Sequence, residues 1–197
     1  MKGAIIMSEM LEIEYKSMLT QQEYNQLIQY YQLKSEDFTV QTNIYFDTPD
    51  GQLAQKNCGL RIRLLEDRAE YTLKTPAKEG KLETTDTLSK EEALSFIEQR
   101  QLPRQGAVFQ KLLELAVPSD ELGKIGDITT KRAEFHIEEG LLAIDESFGE
   151  QLHDFELELE VSDATLGKSA FLAFLERHSF PYRPAKNKIQ RMLAAKN

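Results

Sequence analysis

One cysteine, Cys58, stands in 197 residues, so no intrachain disulfide can form. With only three histidines beside it, the chain has no Cys/His cluster of the kind that holds structural zinc. No apolar run approaches the roughly 20 residues that a membrane-crossing helix needs. The opening stretch from Met1 to Met7 is too short for a secretory signal. Internal repeats, low-complexity segments and linkers are missing too. Positive charge is in deficit: 24 Lys and Arg against 33 Asp and Glu leave a formal net charge of −9. That balance argues against general binding of nucleic acid or anionic membrane, although a local basic pocket remains compatible with it. The expectation is a cytoplasmic protein without nucleic-acid or membrane partners. Residues 1–10 read as a loosely ordered leader and 11–195 as one domain, long enough to bury a real core.

What is present is charge and alternation. Hydrophobic residues make up 41% of the chain, an ordinary share, and charged residues 29%, a somewhat high one. Strands are expected from Leu11 to Met18, Thr39 to Phe46, Gly59 to Leu65, Glu70 to Lys74, Lys81 to Leu88, Ile125 to Thr130, Arg132 to Glu138, Leu141 to Ser147 and Glu156 to Val161. Helical spacing places helices near Gln21 to Tyr31, from Ser89 to Gln99, Phe109 to Val117, Leu166 to His178, and from Pro184 to Ala195. Thr20 with Glu23 and Ser89 with Glu92 form capping boxes. Asp47-Thr48-Pro49-Asp50-Gly51 is a strong turn signal, and Glu139-Gly140 reads as a hairpin turn. Strands, helices, strands and helices in that order predict an α+β fold with a mainly antiparallel sheet. Eight or nine strands are enough to curl and close.

The polar faces of these strands carry the argument. The first strand puts Glu12, Glu14 and Lys16 on one side and Leu11, Ile13 and Tyr15 on the other. The last puts Glu156, Glu158 and Glu160 opposite Phe155, Leu157, Leu159 and Val161. A row of like charges repels itself unless a cation binds there. Between them come Arg61 and Arg63, Lys74, Arg132 with Glu134 and His136, and Asp145. A sheet with a solvated outer face would account for each strand singly. In a barrel with its apolar faces turned out against helices, the charged faces would point inward. Lys16, Arg61, Arg63, Lys74, Arg132 and Lys186 then balance Glu12, Glu14, Asp145, Glu156, Glu158 and Glu160. One or two divalent cations, which prefer oxygen ligands, would tip such a lumen positive and suit it to a polyphosphate.

The chain resembles the CYTH family, the triphosphate tunnel metalloenzymes, and looks closest to its short single-domain bacterial members. The resemblance rests on Glu12-x-Glu14-x-Lys16, Tyr45-Phe46-Asp47-Thr48, Leu60-Arg61-Ile62-Arg63, Thr72-Leu73-Lys74, Asp145 and Glu156-x-Glu158-x-Glu160. These motifs occur in that order over about Leu11 to Leu193. The resemblance implies a closed eight-stranded antiparallel β-barrel, a tunnel with a charged interior flanked by helices. It also implies Mg²⁺ or Mn²⁺ and cleavage of a triphosphate. Glu12, Glu14 and Glu158, with Glu156, Glu160 and Asp145 as further candidates, would hold metal. Which of Glu156, Glu158 and Glu160 are ligands stays open. Lys16, Arg61, Arg63, Lys74, Arg132 and Lys186 would grip phosphate. Of Lys186 and Lys188, Lys186 is chosen because it follows Arg183-Pro184-Ala185. Lys16, Arg61, Arg63, Lys74, Arg132 and Asp145 form the catalytic set.

Other residues read as bland. Tyr45 to Thr48 ends a strand and makes a turn, with Asp47 bonding backbone locally. His136 is a candidate general base but more often such a residue is a bystander. Glu83 faces either the tunnel or solvent. Cys58 suggests no lowered pKa. Three functions remain open at this stage. The first is a metal-dependent phosphohydrolase acting on inorganic triphosphate, a nucleoside triphosphate or thiamine triphosphate. The second is a class IV-type adenylyl cyclase making cyclic AMP from ATP. The third is a non-catalytic polyphosphate- or nucleotide-binding module. The two Glu-rich strands favour catalysis over the third. Monomer and homodimer are both open.

Overall fold

The structure, a computed structural model, describes residues 7–195. Of the expected leader, residues 1–6 lie outside the described residues, and Met7–Met10 already belong to the first strand. The strands are β1 (Met7–Leu19), β2 (Phe38–Asp47), β3 (Gly59–Leu64), β4 (Arg68–Pro76), β5 (Lys81–Ser89), β6 (Gly123–Ile137), β7 (Gly140–Phe148) and β8 (His153–Val161). The helices are α1 (Gln21–Tyr30), the single turn α2 (Gln52–Gln55), α3 (Lys90–Glu98), α4 (Ala107–Glu114), α5 (Ala164–Arg177) and α6 (Lys188–Ala195). The eight strands close into a barrel in the order β1-β5-β4-β3-β2-β6-β7-β8, with the helices flanking it. Among the described residues no helix is long and apolar enough to cross a membrane.

The chain divides into two compact units. The first comprises the residues up to Leu11 with Gln41–Asp127, the second Glu12–Val40 with Ile128–Asn197. In the first, alternation on β3 and β4 sends Leu60, Ile62, Tyr71 and Leu73 to one face, where all four are fully buried. They form one core cluster with Ala93 of α3 and Val108 and Leu112 of α4. In the second, Leu142 and Ile144 of β7 and Leu157 and Leu159 of β8 pack with Tyr24 and Leu27 of α1 and Phe171, Phe174 and Leu175 of α5. In each unit the helices therefore cover the apolar face of the strands. The charged residues occupy the opposite face, the interior of the closed barrel, as the inverted arrangement requires.

Both capping boxes form: Thr20 Oγ1 accepts from the Glu23 amide at 3.2 Å and Ser89 Oγ from the Glu92 amide at 3.2 Å. Two expectations need correction. The break expected after Thr130 does not exist, and β6 is one continuous strand. Thr130 is fully buried, and its hydroxyl meets that of its cross-strand partner Ser147 at 3.1 Å. A satisfied hydroxyl pair lets a polar residue stay inside the ladder. Pro184 does not start the last helix. It forms a bridge with Ser17, and α6 begins at Lys188. The cap is Asn187, whose Oδ1 accepts from the Gln190 amide at 2.8 Å.

The β6–β7 turn is made by Glu138 and Glu139, with Gly140 already paired to Ile137. Gly140 has φ +154°, and a Cβ there would lie 2.2 Å from the Glu160 carbonyl oxygen. A backbone atom cannot step aside as a flexible side chain can. Gly140→Ala should cost about 2 kcal/mol or more, read as a lowered Tm, whereas Gly123→Ala, which meets nothing within 4 Å, should change stability little.

Candidate active site

The second unit gathers its ionised side chains by register. β8 pairs β1 with Glu158 opposite Lys16 and Glu160 opposite Glu14. β7 sets Asp145 between Arg132 on β6 and Glu156 on β8. Asp145 and Glu156 are fully buried and Glu158 nearly so. Each of the three offers an oxygen within 4.8 Å of the others. The Lys188 ammonium donates to Asp145 Oδ2 at 2.8 Å and Glu158 Oε1 at 2.9 Å, and also to Glu156 Oε2. Arg132 clamps Asp145 through Nε and Nη2, both at 2.7 Å, and reaches Glu158 with Nη2. Lys16 donates to Glu158 at 3.0 Å and lies 2.8 Å from Glu14 Oε1.

These contacts decide the ionisation states. Burial alone would raise the carboxyl of Asp145, but Arg132 and Lys188 outweigh it and hold it below its ordinary value. The same contest leaves Glu158 well below the carboxylate range, with Arg132, Lys16 and Lys188 opposing burial. Burial would lower the Lys188 ammonium, yet Asp145, Glu158 and Glu156 raise it well above its usual value. Lys16 is raised likewise, with Glu158 and Glu14 overcoming desolvation. All four groups are charged at neutral pH.

In the first unit, Arg61 and Arg63 on β3 and Lys74 on β4 share the face opposite the core. Glu83, paired to Lys74 across β4–β5, lies 2.7 Å from the Lys74 ammonium and 3.5 Å from Arg61 Nη2. Arg63 Nε donates to Asn43 Oδ1 at 3.0 Å, and its Nη1 is 3.8 Å from Glu70. Glu83 therefore belongs to the charged face, which settles its two alternatives.

Of the residues singled out in the sequence, Glu14, Lys16, Arg132, Asp145, Glu156 and Glu158 come together in the second unit. Arg61, Arg63 and Lys74 come together in the first. Glu12 and Glu160 are half-buried on the same faces as Glu14 and Glu158. The choice between the tail lysines is corrected: Lys186 is exposed, and Lys188 is the one that enters the carboxylate cluster. The reason is the late start of α6, which aims its first residue at β8. Arg191 and its partner Asp154 escaped sequence reasoning. Arg191, one turn after Lys188, donates to Asp154 Oδ2 at 2.7 Å and to both Glu156 oxygens at 3.0 Å. The i, i+3 spacing of Lys188 and Arg191 on one helix face was the available signal. His136 is exposed. Asp47 accepts from the Thr48, Leu53 and Ala54 amides at 2.8, 2.9 and 3.0 Å, a local structural role. Burial pushes the Cys58 thiol up.

The fold is a closed antiparallel β-barrel flanked by helices, with paired carboxylates and cations on the strand faces turned away from those helices. The chain belongs to the CYTH domain family, whose profile matches residues 10–193. It is 40% identical to YjbK of Bacillus subtilis (strain 168), a protein put forward as a triphosphatase, over 96% of this chain and 98% of that one. A crystal structure from Bacillus halodurans, of a protein put forward as an adenylate cyclase, superposes with a TM-score of 0.88 at 37% identity, over 93% of this chain and 97% of that one. HpAC1 from Hippeastrum, put forward as an adenylyl cyclase and found to have a dominant triphosphatase activity, shares the fold at TM-score 0.78 and 22% identity, over 93% and 96% of the two chains.

The pairing of Glu83 yields a pH prediction. Burial would raise its carboxyl, but Lys74 and Arg61 hold it below the ordinary 4.5. A depressed folded-state pKa contributes stability that is complete above the unfolded value and is lost as pH falls through the folded one. Glu83→Gln should thus be about 2 kcal/mol less stable at pH 7. The gap to the parent should close in denaturant titrations as the pH falls below the ordinary carboxylate range and Glu83 takes up its proton.

Proposed function

We propose that the protein is a divalent-metal-dependent phosphohydrolase that cleaves a phosphoanhydride of a triphosphate substrate, inorganic triphosphate first among them. The observation that carries this reading is the buried Asp145–Glu156–Glu158 trio set among Lys16, Arg132 and Lys188. The relation to YjbK points the same way.

The donor set suits the metal. The carboxylate oxygens of Glu12, Glu14, Asp145, Glu156, Glu158 and Glu160 are the hard ligands that Mg²⁺ or Mn²⁺ prefers. A bound cation of this kind supplies charge neutralisation and activation of water. Lys16, Arg132 and Lys188 of the second unit, and in the first unit Arg61, Arg63 and Lys74, are each suited to neutralise phosphate and fix its orientation. Arginine forks match phosphate oxygens two at a time, which makes them the natural clamps, while lysines act as mobile point charges. Because Asp145 takes both Nε and Nη2 of Arg132, the guanidinium plane is fixed before substrate arrives. Such preorganisation costs no reorientation during reaction.

The similarity to the Bacillus halodurans structure supports a second reading, in which the ribose hydroxyl of ATP attacks the α-phosphate and cyclic AMP forms. The same cations would serve both reactions, so products separate them. With Mg²⁺ or Mn²⁺, inorganic triphosphate should release orthophosphate and EDTA should stop it; cyclic AMP from ATP as the main product would overturn the hydrolase reading. Glu14→Gln should lower kcat by at least ~10²-fold with little change in the stability of the metal-free protein, since Lys16 loses Glu14 but keeps Glu158. Arg63→Ala should impair both substrate affinity and rate. Unchanged kinetics in both variants would exclude this face as the site.

A further inference from the structure

The ion pairs made by α6 stand where the proposed metal would bind. All six oxygens of the trio already accept from cations. Asp145 Oδ1 takes Arg132 Nε, and Oδ2 takes Arg132 Nη2 and Lys188. Glu156 Oε1 takes Arg191 Nη1, and Oε2 takes Arg191 Nη2 and Lys188. Glu158 Oε1 takes Lys16 and Lys188, and Oε2 takes Arg132. Among the described residues Lys188 is the one cation hydrogen-bonded to all three carboxylates, so its ammonium stands where their oxygens converge.

We propose that the Lys188 ammonium and a divalent cation exclude each other at Asp145, Glu156 and Glu158, and that Arg191 is the positioning residue that keeps α6 seated when Lys188 gives way. The inference rests on the metal-dependent reading of this site. Its first half follows from charge and space. A divalent ion bonded to the converging oxygens would stand against an ammonium bonded to the same oxygens, and like charges at that separation in a buried site repel strongly. Arg132 also holds Asp145 Oδ1 through Nε, and Lys16 also holds Glu14, partners that Lys188 does not share, so both can keep those bonds. Lys188 holds the centre and cannot.

The second half follows from where the bonds of each side chain go. The three hydrogen bonds of the Lys188 ammonium end on the trio. Arg191 also holds Asp154, through Nε to Oδ2 at 2.7 Å and Nη2 to Oδ1 at 3.3 Å, and the Lys186 carbonyl through Nη1. Asp154 lies outside the trio, so this anchor does not depend on it. Upstream, Arg183 forms a bidentate pair with Glu23 at 2.8 and 3.0 Å, and its carbonyl accepts from the Met18 amide at 2.9 Å. The backbone on both sides of Lys188 is thus fixed by contacts the trio does not supply. Lysine's flexible stem lets its head move without the helix. The displaced ammonium then becomes available to an anion, so occupation of the trio would arm Lys188.

Calorimetric titration with Mn²⁺ alone, together with hydrogen exchange over residues 188–195, tests both halves without turnover. Lys188→Met should bind Mn²⁺ at least about tenfold more tightly than the parent, as expected when a nearby like charge is removed. Equal or weaker binding by a folded Lys188→Met overturns the exclusion. Should that variant not fold, the ¹⁵N resonance of the Lys188 ammonium in the parent protein decides: it should shift or vanish on adding Mg²⁺, and an unchanged signal overturns the exclusion. The parent should keep its α6 protection at saturating Mn²⁺. Arg191→Met should lose it on adding Mn²⁺, with partial recovery in Arg191→Lys and a KM for inorganic triphosphate raised more than kcat is lowered. Equal protection in Arg191→Met and the parent overturns the positioning role. A parent that shows the exclusion yet leaves triphosphate intact would count against the proposed hydrolysis alone.

Discussion

A carboxylate withdrawn from water is costly unless cations and hydrogen bonds replace the lost solvation. Asp145 and Glu156 have no measurable exposure, and Glu158 very little. Every oxygen of the three is met by a lysine or arginine. That requirement explains why the cations come from several elements. Lys16 arrives on β1, Arg132 on β6, and Lys188 and Arg191 on α6. Each is fixed by its own backbone, so the compensation exists only in the folded chain. Ion pairs of this kind add little to stability over an apolar core, but losing one partner strands the other. They are better understood as a mould for charge than as a source of stability.

The apolar packing makes the mould affordable. Because strand side chains alternate, each residue turned to the helices leaves its neighbours for the other face. Leu157 and Leu159 face α1 and α5 and thereby commit Glu156, Glu158 and Glu160 to the opposite side. Leu60 and Ile62 do the same for Arg61 and Arg63 against α3 and α4. A register slip of one residue would exchange the two sets, burying charge under helices and leaving leucines among ions. The helix contacts therefore specify the charged face even though they never touch it.

This coupling is why so much of the site was legible in the sequence. Period-two alternation in Glu12 to Lys16, Leu60 to Leu64 and Phe155 to Val161 assigns faces without tertiary knowledge. Strand number and amphipathic helices made a closed, inverted barrel possible, and the resemblance to the CYTH family implied it. What escaped lies where tertiary contacts override local signals. Pro184 is a good first residue for a helix, but backbone pairing of Arg183 with β1 takes that stretch and delays α6 to Lys188. The choice of Lys186 fell with that boundary. Arg191 and Asp154 are ordinary surface residues by composition, and their pairing depends on how α6 lies on β8. Glu83 was undecidable because Lys81 to Leu88 alternates weakly; its cross-strand partner Lys74 fixes its side.

Charge compensation also constrains any guest. In the second unit the cations Lys16, Arg132, Lys188 and Arg191 pair with Glu14, Glu134, Asp145, Asp154, Glu156 and Glu158, so both signs are interleaved there. A polyanion arriving alone would set phosphate oxygens beside buried carboxylates. A divalent cation arriving alone would meet ammonium and guanidinium groups. On the proposed reading each guest relieves the repulsion the other would feel, so cation and triphosphate should favour one another's binding through the same set of ion pairs. The mixed cluster would then select for the combination, a polyphosphate carrying its own metal, over either component. Lys188 is the group able to follow that exchange, because it can leave the carboxylates for an anion while Arg191 keeps its helix in place.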